Sequence, residues 1–172
     1  QTYHSIIWPA FPTRMPQFFL PKQFLKMKQI ANNIFFEWVE SEIAQGNPVQ
    51  FRLKGTSMFP LLKDCKDKVI LHPCSADELS PMDVILFRYN GKHLLHRILK
   101  IEGNKLIIQG DGSYVAKEQC TTKDVVGKVQ TIIRPSGKSI SVNSWRWKLP
   151  SRLWLSLTFI RTPLLRILHC IM

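Results

Sequence analysis

Asp83-Val84-Ile85-Leu86-Phe87-Arg88-Tyr89-Asn90-Gly91-Lys92-His93-Leu94-Leu95-His96-Arg97-Ile98 is the stretch whose reading decides the fold. Val84–Phe87 is an unbroken apolar run, short enough to be a strand buried on both faces. Asn90-Gly91 supplies the two positive-φ positions of a tight hairpin turn, and His93–Ile101 returns as the partner strand. Working outward, Val49–Lys54 alternates, Lys68–Leu71 is a short strand-like run, and Gly103-Asn104 turns the chain into Lys105–Gln109. Val125–Ile133 and Ser139–Val142 add two more strands. Closely spaced strands joined by short turns predict a compact, mostly antiparallel β domain. On its N-terminal side, Leu25, Ile30, Ile34, Phe35, Trp38, Val39 and Ile43 recur at helical spacing, so residues 22–45 read as one helix, stopped by Gly46-Asn47-Pro48.

Length fits one domain with appendages. The net charge of +12 is unevenly placed. All 12 acidic residues lie within residues 27–133, together with 14 Lys/Arg; residues 134–172 carry seven basic side chains and no acid. A basic tail mixed with Trp and Leu points to an anionic membrane surface rather than a nucleic-acid groove; a solvated tail is the alternative. Trp145, Trp147 and Trp154, interleaved with Arg146, Lys148 and Arg152, suit an interfacial belt, and a helix docked on the domain is the competing reading. After Pro163, the side chains of Leu164, Leu165, Leu168 and Ile171 would share one helical face. No run of eighteen apolar residues exists to cross a membrane. Prolines at 9, 12, 16 and 21 break any secretory-signal pattern, and residues 1–26 are expected to be an extension outside the domain. The expected organisation is therefore that extension, a helix at 27–47, the β domain at 48–143 and a basic tail, helical in part, at 144–172. Cys65, Cys74, Cys120 and Cys170 lack zinc-ligand or disulfide-framework spacing and read as reduced; no cofactor or metal is implied.

Chemistry enters with Gly55-Thr56-Ser57-Met58-Phe59-Pro60. A serine in a Gly-led turn is placed where backbone N–H groups converge, and such groups stabilise an oxyanion. The same serine could simply bond its own turn. His96 lies on the apolar return strand, as base or as structural residue. Serine becomes a nucleophile only if a base takes its proton, and His96 is the group suited to that near neutral pH. His93 faces the opposite side of the strand. His72, before Pro73, reads as a surface residue, and Lys92 and Lys100 as solvated residues at strand ends.

The order of the pieces is more specific than any one of them. Gly55-Thr56-Ser57-Met58-Phe59-Pro60 is followed by Asp67-Lys68-Val69-Ile70, Met82-Asp83-Val84-Ile85-Leu86-Phe87, His96-Arg97-Ile98, Gln109-Gly110-Asp111 and Val126-Gly127-Lys128-Val129. Over roughly residues 48–133 this resembles the signal peptidase I and LexA-type serine peptidase superfamily, and most closely its Ser/His members of the archaeal and endoplasmic-reticulum type. The resemblance implies a sheet- or barrel-like β peptidase core with Ser57 as nucleophile and His96 as base. It implies that Asp111 orients His96, and that Gly55, Thr56 and Met58 flank the oxyanion and substrate. The implied activity is endoproteolysis of an extended segment of a precursor protein or peptide, by an enzyme associated peripherally with a membrane through residues 144–172. The pattern is departed from at four places: Gly55 stands two before the serine where signal peptidases often carry a hydroxyl and is closer to LexA-type members, Met82 and Lys66 stand where glycine is usual, and Gly112-Ser113 follows Asp111 where Asn is usual. The rivals are a LexA-like self-cleaving or dimerising regulatory module, and an inactive peptide-binding relative. Residues 1–47 supply one helix, too little for a helix-turn-helix.

Overall fold

The computed structural model describes residues 32–113 and 117–157, with Ile160, Pro163 and Leu165. The expected extension at 1–26, the start of the first helix and most of the segment after Pro163 lie outside the described residues. Helix α1 (Asn32–Ala44) is followed by strands β1 (Val49–Arg52), β2 (Lys68–His72), β3 (Val84–Tyr89), β4 (Lys92–Glu102), β5 (Lys105–Gln109), β6 (Glu118–Thr121), β7 (Val125–Ile133) and β8 (Ser139–Ser141), then helix α2 (Trp145–Ser156).

The strands form one antiparallel sheet in the order β1-β2-β7-β3-β4-β5-β6, with β8 on β7. The mostly β, antiparallel reading holds, but the sheet is open: β1 and β6 do not pair among the described residues, so the barrel-like expectation is corrected. The Asn90-Gly91 hairpin pairs Tyr89 with Lys92 and runs in register to Val84 opposite Arg97. Both turn residues have positive φ, 49° and 71°, as this turn type requires.

Two apolar clusters flank the sheet, and strand alternation sorts residues between them. Val84, Leu86 and Leu95 join Phe51, Val69, Val129 and Ile132 beneath α1, which contributes Phe35, Phe36, Val39 and Ile43. Ile85, Phe87, Leu94 and Ile98 join Leu106, Ile108 and Cys120 on the other side. Burial of each such side chain stabilises the fold by about 1.5–3 kcal/mol. Helix α1 ends in a Schellman motif: Gly46, at φ +87°, donates to the Ile43 carbonyl at 3.0 Å, and Asn47 to the Glu42 carbonyl at 2.9 Å. His93 stacks on Phe36 of α1 at 4.2 Å and meets Glu40 at 2.7 Å. It therefore faces α1, away from His96, as the alternation argument required.

Ser144 caps α2 by accepting from the Arg146 N–H. The tryptophans divide. Trp147 packs into the α1-side core, Trp154 packs with Phe59 and Leu165, and Trp145 stands 70% exposed. An interfacial belt of all three is thus corrected: two of them dock the helix on the domain. Cys65, Cys74 and Cys120 are free thiols.

Candidate active site

Ser57 sits in the loop between β1 and β2, and that loop is pinned at several points. Leu53 donates to the Asp67 carbonyl at 3.1 Å and Cys65 to the Leu53 carbonyl at 2.9 Å, closing its neck. The Lys63 N–H binds the buried Asp67 carboxylate at 2.7 Å, and Arg134 of the β7–β8 turn pairs with the same carboxylate and with the Leu61 carbonyl. Met58 and Leu62 are buried beneath the turn. With the residues on either side of it anchored, Ser57 is held in place at 8% exposure.

The oxyanion expectations divide. Gly55, at φ +107°, gives its N–H to the Asp64 carboxylate at 2.6 Å. That donor is spent on the loop. Thr56 accepts the Phe59 N–H at 3.0 Å through its carbonyl. The Met58 side chain lies in the α1-side core beneath the Ser57 turn.

His96 is in the middle of β4, paired with Ile85 and 4% exposed. Its Nδ1 lies 3.2 Å from Oε2 of Glu118, the first residue of β6. A carboxylate at Nδ1 fixes the proton there and leaves Nε2 with its lone pair. Nε2 is buried and has no hydrogen-bond partner among the described residues, so it does not bond the Ser57 hydroxyl in this structure. It nevertheless faces the serine loop across Gly110. A Cβ placed on Gly110 would stand 2.5 Å from the Ser57 carbonyl oxygen and 3.1 Å from Nε2. Only a residue without a side chain lets these three segments meet. Gly112 is confined likewise against the Thr56 carbonyl, and its own N–H donates to the Ser57 carbonyl at 2.7 Å. The Gly110-Asp111-Gly112 backbone is thus locked onto the back of the Ser57 turn.

Asp111 does not orient His96. Its carboxylate takes two hydrogen bonds from Arg97, Nε to Oδ1 at 2.8 Å and Nη2 to Oδ2 at 2.7 Å, with both side chains almost wholly buried. Arg97 also donates to the Met82 carbonyl at 2.8 Å and lies 5.3 Å over the Trp147 ring. The physical reason is strand alternation: His96 and Arg97 are neighbours on β4 and face opposite sides. The group at His96 is Glu118, which sequence reasoning missed. The sole signal for it was that Ile108 of β5 needs a partner strand, and Glu118 is its register mate.

Two of the departures find explanations. Met82 has φ +78°, the conformation for which glycine is the natural choice. In the other turn the positive φ, 52°, falls on Cys65 and not on Lys66. Lys100 pairs with Glu102 in solvent and Lys92 is exposed, so neither approaches Ser57's loop as a base. Burial pushes the Cys120 thiol up to about 12, away from any nucleophilic role near neutral pH.

Compared with family models and with curated proteins, the chain matches none.

Proposed function

We infer that the protein is a serine endopeptidase of the signal-peptidase-like type, in which Ser57 is the nucleophile, His96 the base and Glu118 the carboxylate that orients it. One observation carries the reading: a buried imidazole whose Nδ1 is held by a carboxylate, with an Nε2 that has no partner among the described residues and faces the back of a pinned serine turn. A structural histidine would have both nitrogens satisfied, because an unpaired buried polar atom costs about 1–3 kcal/mol. Hydrogen bonds of a catalytic serine commonly tighten only when substrate arrives.

In the proposed reaction Nε2 takes the Ser57 proton as Oγ attacks the scissile carbonyl carbon. The resulting oxyanion is met by backbone N–H of the Ser57 turn. The imidazolium returns the proton to the departing amine as the C–N bond breaks. Water, deprotonated by Nε2, then hydrolyses the acyl-enzyme and frees the Ser57 hydroxyl. Glu118 offsets the charge on the imidazolium in both steps. The substrate is an extended segment of a precursor protein or peptide. Strand edges at β1 and β6 that are unpaired among the described residues support recognition by strand addition, and β6 carries Glu118 itself.

The unmade Ser57–Nε2 bond favours a second reading, a non-catalytic peptide-binding relative. Cleavage of a pool of extended fluorogenic peptides separates the two. The proposal expects turnover by the wild-type chain, lost by several orders of magnitude in Ser57→Ala and in His96→Ala, with the double variant no worse than either. Full activity in His96→Ala would remove the base assignment, and binding without turnover would favour the relative.

A further inference from the structure

We propose that the cavity between helix α2 and the turn before β3 binds a small phosphate monoester. The cavity measures about 270 Å³. The turn contributes Pro81 and Met82 to its lining, and α2 contributes Trp147, Lys148, Ser151 and Arg152. Arg97 lines it as well. Arg97 and His96 are neighbours on β4 and face opposite sides, so this cavity is separate from the serine and histidine site.

Two features of α2 ask for an anion. Lys148 and Arg152 stand one helical turn apart, both exposed, and neither has an ion-pair partner among the described residues. Like charges at this spacing repel, and no acidic residue occurs in the chain after Asp124 to offset them. Between them in sequence, Ser151 is 0% exposed, and its Oγ has no hydrogen-bond partner among the described residues. A helical serine commonly returns its hydroxyl to the carbonyl four residues back; here that carbonyl belongs to Trp147, and the bond is not made. A buried polar atom left unsatisfied is costly, and a ligand oxygen at the cavity floor would satisfy it.

The remaining charges at the cavity are already matched. Lys128 pairs with Asp83 at 3.2 Å and donates to the Glu78 carbonyl at 2.6 Å, and Arg97 is held by Asp111. Two unmatched cations and a hydroxyl suit a dianionic group with three oxygens, and arginine and lysine are both established phosphate binders. A carboxylate would leave one of the two cations unmatched. Pro81, Met82 and Trp147 give the organic part an apolar lining. The volume falls below the roughly 300–1,000 Å³ of sites for drug-sized ligands, so that part is only a few carbon atoms. The site stands whether or not the chain is a peptidase.

The test is isothermal titration calorimetry of the full chain with glycerol 3-phosphate, inorganic phosphate, glycerol and acetate. Glycerol 3-phosphate should bind at a single site, inorganic phosphate more weakly, and glycerol and acetate not detectably. Lys148→Gln and Arg152→Gln should each weaken binding about five- to tenfold. Arg146→Gln, on the same helix and outside the cavity, should leave it unchanged. Ser151→Ala should weaken binding while raising the melting temperature of the ligand-free chain by about 2–4 °C, because it deletes an unsatisfied hydroxyl. Binding of neither phosphate, acetate binding as tightly as glycerol 3-phosphate, or glycerol 3-phosphate binding no tighter than inorganic phosphate would overturn the ligand class. Equal weakening by Arg146→Gln, or a Ser151→Ala variant that melts lower and binds like wild type, would overturn the site.

Discussion

Glu118→Gln and Asp111→Asn, made separately, distinguish a carboxylate that serves the imidazole from one that holds the fold. Glu118 meets His96 Nδ1 at 3.2 Å with its side chain 12% exposed. Glutamine keeps the shape, so stability should change by less than about 1 kcal/mol. Its amide, however, neither offsets an imidazolium nor fixes the tautomer dependably. Loss of that carboxylate in a serine–histidine triad costs about 10⁴ in kcat. The contact here is longer than the ~2.8 Å of a strong charge-assisted bond. A loss of roughly 10²–10³, or about 3–4 kcal/mol of barrier, is therefore expected. Asp111 is the reverse case. It is 1% exposed and takes two bonds from an Arg97 that is 0% exposed. Asparagine would leave that guanidinium buried and uncompensated, at about 3–5 kcal/mol. For a domain of this size the melting temperature should drop by roughly 10–20 °C. The assay pairs thermal unfolding followed by circular dichroism with single-turnover cleavage of a fluorogenic peptide at a temperature where both variants are folded. A Glu118→Gln variant at wild-type rate, beside a fully stable Asp111→Asn variant that has lost activity, would refute the division and return the orienting role to Asp111.

Met82→Gly should stabilise the protein by about 0.5–1 kcal/mol, because φ +78° strains any residue with a Cβ; a lower urea midpoint would show the turn is not strained. Gly110→Ala should cost about 1–3 kcal/mol and most of the activity, since its methyl would sit 2.5 Å from the Ser57 carbonyl oxygen, a backbone atom that cannot swing away; wild-type cleavage by this variant would contradict the packing argument. Burial raises the Cys120 thiol to about 12 from an ordinary 9.0, so the folded state favours the neutral form. The resulting stability is complete below about pH 9 and is lost as pH rises from there toward 12. Urea midpoints at about pH 8 and about pH 10.5 should separate less in Cys120→Val than in wild type, and identical pH slopes would show the thiol plays no part.

The hairpin was legible in the sequence because Val84–Phe87 and Asn90-Gly91 each carry a strong local signal, one of burial and one of backbone handedness. Ser57 and His96 were legible as candidates because turn chemistry and strand period locate them without tertiary information. Strand β6 was not. Glu118-Gln119-Cys120-Thr121 is four residues long with one buried side chain, and it is extended because β5 offers it a ladder, not because its own composition asks for it. Glu118 was lost with it. The Asp111 assignment failed for a related reason. The resemblance assigns the aspartate of the Gly110-Asp111 box to the base, whereas the period of two on β4 turns Arg97, not His96, toward Asp111. The docked face of α2 was beyond sequence reasoning, since Trp147 and Trp154 resemble Trp145 in every respect except what they meet.

Arg97 and Asp111 form a wholly buried ion pair beside the site. Burying Arg97 and Asp111 is a poor way to gain stability, because desolvation offsets most of their attraction, and apolar residues of similar volume would often do as well. What they do achieve is directional. Arg97 is fixed at once by Asp111, by the Met82 carbonyl and by the Trp147 ring. Asp111 is fixed by Arg97 through its carboxylate and by Trp154 through its carbonyl. An apolar pair could fill the volume but could not set the rotation of the Gly110-Asp111-Gly112 backbone, against which the Ser57 carbonyl and His96 Nε2 both pack. Substitution of both residues by leucine and methionine should therefore be far less damaging to stability than Asp111→Asn alone, yet should depress cleavage. That combination of a preserved fold with a lost rate would assign the pair to geometry, whereas recovery of both together would assign it to filling space.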